Sequence, residues 1–226
     1  MTARRPGGKQ QIPRPDAWTE HLDAPWAQVP RWNVSDLIAH VPVTSVPPVP
    51  PFPDARLSAV LIALHDGVDG AEVLLTRRSM QLRNHRGEIS FPGGRTDPGE
   101  TPIETALREA HEEVGLDPSL PSVVGELGHL STIVSRSHIV PVVSILDERP
   151  DLAPQTGEVD RVLWTPISDL TRDGTYRMER WGNPPIDRPL HFFELDDETV
   201  WGATAHMLVE LLTAAGRPTS STDSPR

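Results

Sequence analysis

The sequence predicts an α/β (α+β) fold in which a mixed β-sheet is sandwiched between α-helices. Three features lead there. Short, strongly apolar runs alternate with turn signals, a fully capped amphipathic helix lies near the middle, and a second apolar helix closes the chain.

Residues 1–55 are proline-rich and weakly patterned, ending in "VPPVPPFP" at 46–53, and read as an irregular arm with one short helix near "NVSDLIAH" (33–40). "LSAVLIAL" (57–64) and "EVLLTR" (72–77) read as strands around the turn signal "DGVDG" (66–70). At 102–114 a helix is expected: Thr101 and Glu104 form a capping box, Pro102 takes the first helical position, and Gly115 supplies a left-handed stop. Ile103, Ala106, Leu107, Ala110 and Val114 give that helix one apolar stripe. "SHIVPVVSIL" (137–146) and "RVLWTP" (161–166) read as further strands, and a helix is expected from about Val200 to Ala214, before Gly216. Residues 216–226 read as a flexible tail, so 56–215 form the expected domain. There is no internal repeat.

The 226 residues suffice for one domain with a proper core. A net charge of -11 argues against a nucleic-acid partner. With no cysteine, disulfides, thiolate catalysis and zinc-thiolate sites are excluded. No apolar run approaches the roughly 18 residues of a membrane span. Arg4 and Arg5 are followed by polar residues and not by an apolar segment, so a cytoplasmic protein without a secretory signal is expected. The oligomeric state is left open.

The helix at 102–114 obeys every capping rule and then carries Glu109, Glu112 and Glu113 at its C-terminal end. There the helix dipole disfavours negative charge, by roughly 0.3–1 kcal/mol per exposed group. Arg108 pairs with Glu112 at i,i+4, which recovers only about 0.2–0.5 kcal/mol. A solvated acidic face is the usual reading of such a run. A local rule broken at a single place within a consistent element instead marks a functional site. Carboxylate oxygens suit hard divalent cations, so Mg2+ or Mn2+ is the expected cofactor.

Gly94, Glu100 and the run Arg108-Glu109-Ala110-His111-Glu112-Glu113-Val114-Gly115-Leu116 fill the pattern G-x5-E-x7-R-E-U-x-E-E-x-G-U, with Ala110 where a larger aliphatic residue is usual. The segment resembles the Nudix box. Upstream, "LLTRRSMQLRNHRGEISFPGG" (74–94) resembles the signature LLTxR[SA]x3Rx3Gx3FPGG of coenzyme A diphosphatases, with Glu88 where relatives often have Gln. The resemblance implies the Nudix fold and metal-dependent cleavage of coenzyme A or its thioesters to adenosine 3′,5′-bisphosphate and 4′-phosphopantetheine or its acylated form. It assigns Glu109, Glu112 and Glu113 as direct metal ligands, Glu100 as a ligand through water, and Arg108 as the residue that orients the glutamates. The proton acceptor is left open among Glu112, Glu113 and a later-loop glutamate, for which Glu158 is the candidate.

A small-molecule substrate bearing several phosphates needs cationic partners, and arginine suits phosphate bidentately. Arg78 and Arg83 occupy signature positions, with Arg77, His85 and Arg86 beside them. Gly93 and Gly94 are expected to let backbone approach phosphate and metal closely. His111 reads as solvated, and His206, Trp164 and Trp201 as packing residues. Two alternatives stand beside this reading. One is a Nudix hydrolase acting on ADP-ribose or nucleoside triphosphates, and the other is a catalytically silent nucleotide sensor.

Overall fold

A computed structural model describes residues 12–29, 31–43, 49, 54–132 and 136–215. The expected tail and most of "VPPVPPFP" lie outside them. In chain order the elements are β1 (Trp18–His21), α1 (Val34–Ile38), β2 (Arg56–Gly67), β3 (Gly70–Arg78), β4 (Ile89–Ser90), β5 (Gly93–Arg95), α2 (Pro102–Val114), β6 (Ser122–Glu126), β7 (Leu130–Thr132), β8 (Ser137–Leu146), β9 (Val159–Pro166), α3 (Ile167–Thr171), β10 (Tyr176–Trp181), β11 (Arg188–Glu194), β12 (Thr199–Trp201) and α4 (Gly202–Ala215).

The larger sheet runs β4-β3-β2-β8-β6, with β5 paired to β2, β7 to β8 and β9 to β3. Residues 56–65 of β2 lie parallel to 137–146 of β8, while the other pairs are antiparallel, so the sheet is mixed as expected. The near-continuous apolar run of β2 follows from burial on both faces. Ala59, Leu61 and Ala63 join Ala106, Ala110 and Val114 of α2 on one face. Ile62 and Leu64 join a second cluster on the other, with Leu37 of α1, Ile167 of α3 and Leu208, Leu211 and Leu212 of α4. Each fully buried valine, leucine or isoleucine here contributes about 1.5–3 kcal/mol from removal from water.

The smaller sheet, β1-β10-β11-β12, is antiparallel and has no counterpart in the sequence reading. β1 belongs to the proline-rich segment expected to be irregular, and so do Trp26, Trp32, Val34, Leu37 and Val41, all buried. The short helix expected near 33–40 is α1, capped by Asn33. The turn is tighter than "DGVDG" suggests, because Gly67 pairs with Gly70 and both strands run up to a two-residue tip. No helix among the described residues is long and apolar enough to cross a membrane.

Candidate active site

α2 begins and ends as its capping residues dictate. Thr101 Oγ1 accepts from the Glu104 amide at 3.2 Å, and Glu104 Oε2 accepts from the Thr101 amide at 2.8 Å. Gly115 closes the helix at φ 76°. With the apolar stripe turned to the sheet, Arg108, Glu109, Glu112 and Glu113 fall along the adjoining side.

Arg108 gathers the acidic residues. Its Nε donates to Glu100 Oε1 at 2.7 Å and its Nη2 to Glu100 Oε2 at 3.1 Å. Nη1 lies 3.1 Å from both Glu109 Oε1 and Glu112 Oε2. The Arg108 bond, with support from the Asp97 amide and the Thr105 hydroxyl, holds the Glu100 carboxyl down at about 2. Glu100 thus serves this geometry as the anchor of Arg108.

Glu113 is only 5% exposed and accepts from the Gly93 amide at 3.2 Å. Burial pushes its carboxyl up to about 7; the Gly93 amide and Arg78 oppose this, and the charges of Glu109 and Glu158 add to it. Glu109 is also raised, by burial and by Glu112 and Glu158, against the pull of Arg108. Glu158, in the loop before β9, lies 3.5 Å from Arg78 and its side chain is 61% exposed. Residues distant in sequence therefore share one field: Arg78, Glu109, Glu113 and Glu158.

The glycines act at close quarters. A Cβ on Gly94 would fall on the Glu109 carboxylate, whereas one on Gly93 would fall on the Ala59 carbonyl and Val60 Cα of β2. Gly94 therefore makes room for the Glu109 carboxylate, and Gly93 makes room for the sheet.

Among the described residues, no three acidic or histidine side chains converge closely enough to hold a metal ion as they stand. The donors nevertheless fit a hard divalent cation. All are carboxylate oxygens, and two carry charge that their surroundings disfavour.

β3 parts the basic residues of the upstream segment. Arg78 faces the α2 carboxylates, while Arg77 lies on the opposite sheet face, donating to Asp160 at 3.0 Å and Glu198 at 2.9 Å. There Arg77, Arg83 and His85 help to line a cavity of about 1280 Å³. His85 contacts Glu88 at 2.9 Å, so the glutamate that replaces the usual glutamine has a local partner. Arg56 and Arg95 line the same cavity and were not singled out from the sequence. No motif links two residues so far apart in the chain. Trp201, expected in the core, is half-buried and lines this cavity, because β12 sits at the edge of the smaller sheet. Trp164 packs against the α2-side core cluster as expected, though half-buried, with the Arg149 guanidinium 5.5 Å from its ring. His206 is exposed where packing was expected, while His111 is exposed as expected.

A family model described as NUDIX domain matches residues 55–187, more than half of the chain. The chain belongs to the Nudix family. The mixed sheet with α2 on one face is accordingly the Nudix α+β fold, and Gly94, Glu100 and residues 108–116 are its box. Nudix hydrolase 22, chloroplastic, of Arabidopsis thaliana is 39% identical over 167 residues, covering 70% of this chain and 55% of that relative. The peroxisomal coenzyme A diphosphatase ndx-8 of Caenorhabditis elegans is 36% identical over 161 residues, covering 67% and 65%. An uncharacterized Nudix hydrolase NudL of Pectobacterium atrosepticum is 32% identical over 194 residues, covering 82% and 96%. The matched part thus spans about 55–65% of the two longer relatives and nearly all of the third.

Proposed function

We propose that this Nudix protein hydrolyses the diphosphate of coenzyme A or its thioesters, releasing adenosine 3′,5′-bisphosphate and 4′-phosphopantetheine or its acyl derivative. The observation that carries the reading is the placement of the upstream signature. Its Arg78 stands beside Glu113 and Glu158, and Arg83 lines a basic cavity large enough for a nucleotide. The name of the 36% identical nematode relative supports the same substrate.

In this reading Glu109, Glu112 and Glu113 hold Mg2+ or Mn2+. When bound, such an ion neutralises phosphate charge and makes a bound water more acidic. The chain's own groups do the rest. Arg108 sets the directions of Glu109 and Glu112 and is itself fixed by Glu100. Arg78 supplies positive charge to the diphosphate. Gly94 admits the reacting phosphate next to Glu109. Water adds to one phosphorus of the anhydride, the other phosphate leaves with the bridging oxygen, and a carboxylate takes the proton of the water. Glu158, exposed and tied only at 3.5 Å, has the freedom to be that acceptor.

The test is a substrate panel in magnesium or manganese: coenzyme A, an acyl-coenzyme A, ADP-ribose and a nucleoside triphosphate. Adenosine 3′,5′-bisphosphate released from the first two, with kcat/KM at least about tenfold above the others, is the expected result, about 1.4 kcal/mol of discrimination. Turnover of ADP-ribose or the triphosphate without coenzyme A would overturn it.

A further inference from the structure

The large cavity lies across the sheet from the α2 carboxylates, and β5 is the partition. Gly94 pairs with Ala59 and adjoins Glu109 on the α2 face. Its neighbour Arg95 pairs with Ser58, so its side chain emerges on the other face. Arg56, two residues before Ser58, emerges on that face too. Its amide donates to the Arg136 carbonyl at 2.8 Å, bringing the start of β8 to the same place. The two guanidinium side chains thus reach one cavity from adjacent strands, 39 residues apart in the chain.

The charge balance in this cavity favours an anion. Of its acidic lining, Glu198 is paired with Arg77 and Arg161 and Asp197 with Arg161, which leaves Glu88, in contact with His85, against the remaining arginines. Arg136 is paired with Asp54. Arg56, Arg83, Arg86 and Arg95 have no carboxylate partner among the described residues, and all four are exposed to the cavity. Four guanidinium groups without a carboxylate partner among the described residues, against the single carboxylate of Glu88, give the concavity an excess of positive charge that would concentrate an anionic ligand, in a chain of net charge -11.

We propose that Arg56 and Arg95 bind a phosphomonoester of the substrate, remote from the diphosphate that is cleaved, and so make the enzyme select substrates carrying that third phosphate. The inference rests on the coenzyme A reading, in which the group is the ribose 3′-phosphate. The diphosphate lies on the α2 side of β5, and the nucleoside with its monoester passes the end of the strand into the cavity. A planar, bidentate donor pair on paired strands suits a terminal phosphate.

The experiment compares kcat/KM for coenzyme A and dephospho-coenzyme A in the full chain, its Arg56→Gln and Arg95→Gln variants, and Arg95→Lys. The wild type is expected to prefer coenzyme A at least about tenfold, and each glutamine variant to cut that ratio about tenfold, chiefly through KM. Arg95→Lys, which keeps the charge, is expected to restore part of the ratio, which a merely misfolded variant would not show. Equal turnover of both substrates by the wild type would overturn the inference while leaving the coenzyme A reading intact, and a preference that survives in the variants would equally overturn it. If neither substrate is cleaved, the coenzyme A reading fails, and calorimetric titration with adenosine 3′,5′-bisphosphate and with AMP decides the subsite separately. Tighter binding of the bisphosphate that is lost in the variants supports it, and equal binding refutes it.

Discussion

Arg108 touches more of the candidate site than any other residue described above, and it need not touch substrate. It is fixed by two bonds to Glu100 and presents Nη1 to both Glu109 and Glu112. Arg108→Ala is expected to lower activity about 10–100-fold and to raise the magnesium concentration giving half-maximal rate, as loss of a group orienting metal ligands does. A metal titration of the rate checks both. Adjacent glycines separate two further effects. Gly94→Ala places a methyl on the Glu109 carboxylate, so activity is expected to fall with little change in the urea midpoint. Gly93→Ala meets backbone of β2 and is expected to cost about 1–3 kcal/mol of stability as well, the range for overpacking a filled site. At this scale the sequence was informative where a local rule is broken: the acidic residues at the C-terminal end of α2 are the ones gathered around Arg108 and Arg78. It was silent on Arg56 and Arg95, whose proximity depends on β2–β5 pairing.

Among the elements, α2 was legible to the residue because the capping box, the proline, the stripe and Gly115 all agree. β2 and β8 were legible because burial on both faces leaves uninterrupted apolar runs. The smaller sheet was hidden for the opposite reason. β10 buries Arg177 and Glu179, which a pattern of apolar and polar residues assigns to solvent. Glu179 Oε1 accepts from Arg177 at 2.5 Å and from Arg14 at 2.6 Å, while Trp181 Nε1 donates to Glu179 Oε2 at 2.7 Å. Arg177 in turn reaches Glu194 at 2.6 Å and lies 3.8 Å from the Phe192 ring centre. Glu179→Ala would leave Arg177 with Glu194 as its near carboxylate and Arg14 and Trp181 without their acceptor, and is expected to cost about 1–3 kcal/mol, read from urea unfolding. His191 on β11 offers a pH test. Burial, with the charge of His206, pushes its pKa down to about 4, and Nδ1 lies 2.9 Å from the Tyr176 hydroxyl. The unfolded chain, with an ordinary histidine pKa near about 6.5, binds the extra proton first. Stability is therefore expected to be unaffected by this group above about 6.5 and to fall as pH drops from there toward about 4. Thermal melts across that window should show a shallower decline in His191→Gln.

For the molecule as a whole, β5 divides the work. One sheet face carries α2 and its carboxylates, whose chemistry suits a cation, and the other carries a cavity lined by Arg56, Arg83, Arg86 and Arg95, which have no carboxylate partner among the described residues and suit an anion. A substrate with a central diphosphate and a distal phosphate satisfies both. The Nudix box and Arg78 of the upstream signature pointed to the first face and Arg83 of the same signature to the second, while Arg56 and Arg95 became visible only with the paired strands. The most direct single measurement is release of adenosine 3′,5′-bisphosphate from coenzyme A in magnesium, for the wild type and Glu113→Gln, each with and without EDTA. Release by the wild type, abolished by EDTA and reduced by at least about a hundredfold in Glu113→Gln, is the predicted result, on the scale of losing one essential electrostatic group. Release that persists in EDTA, or that is equal in the variant, would contradict the account.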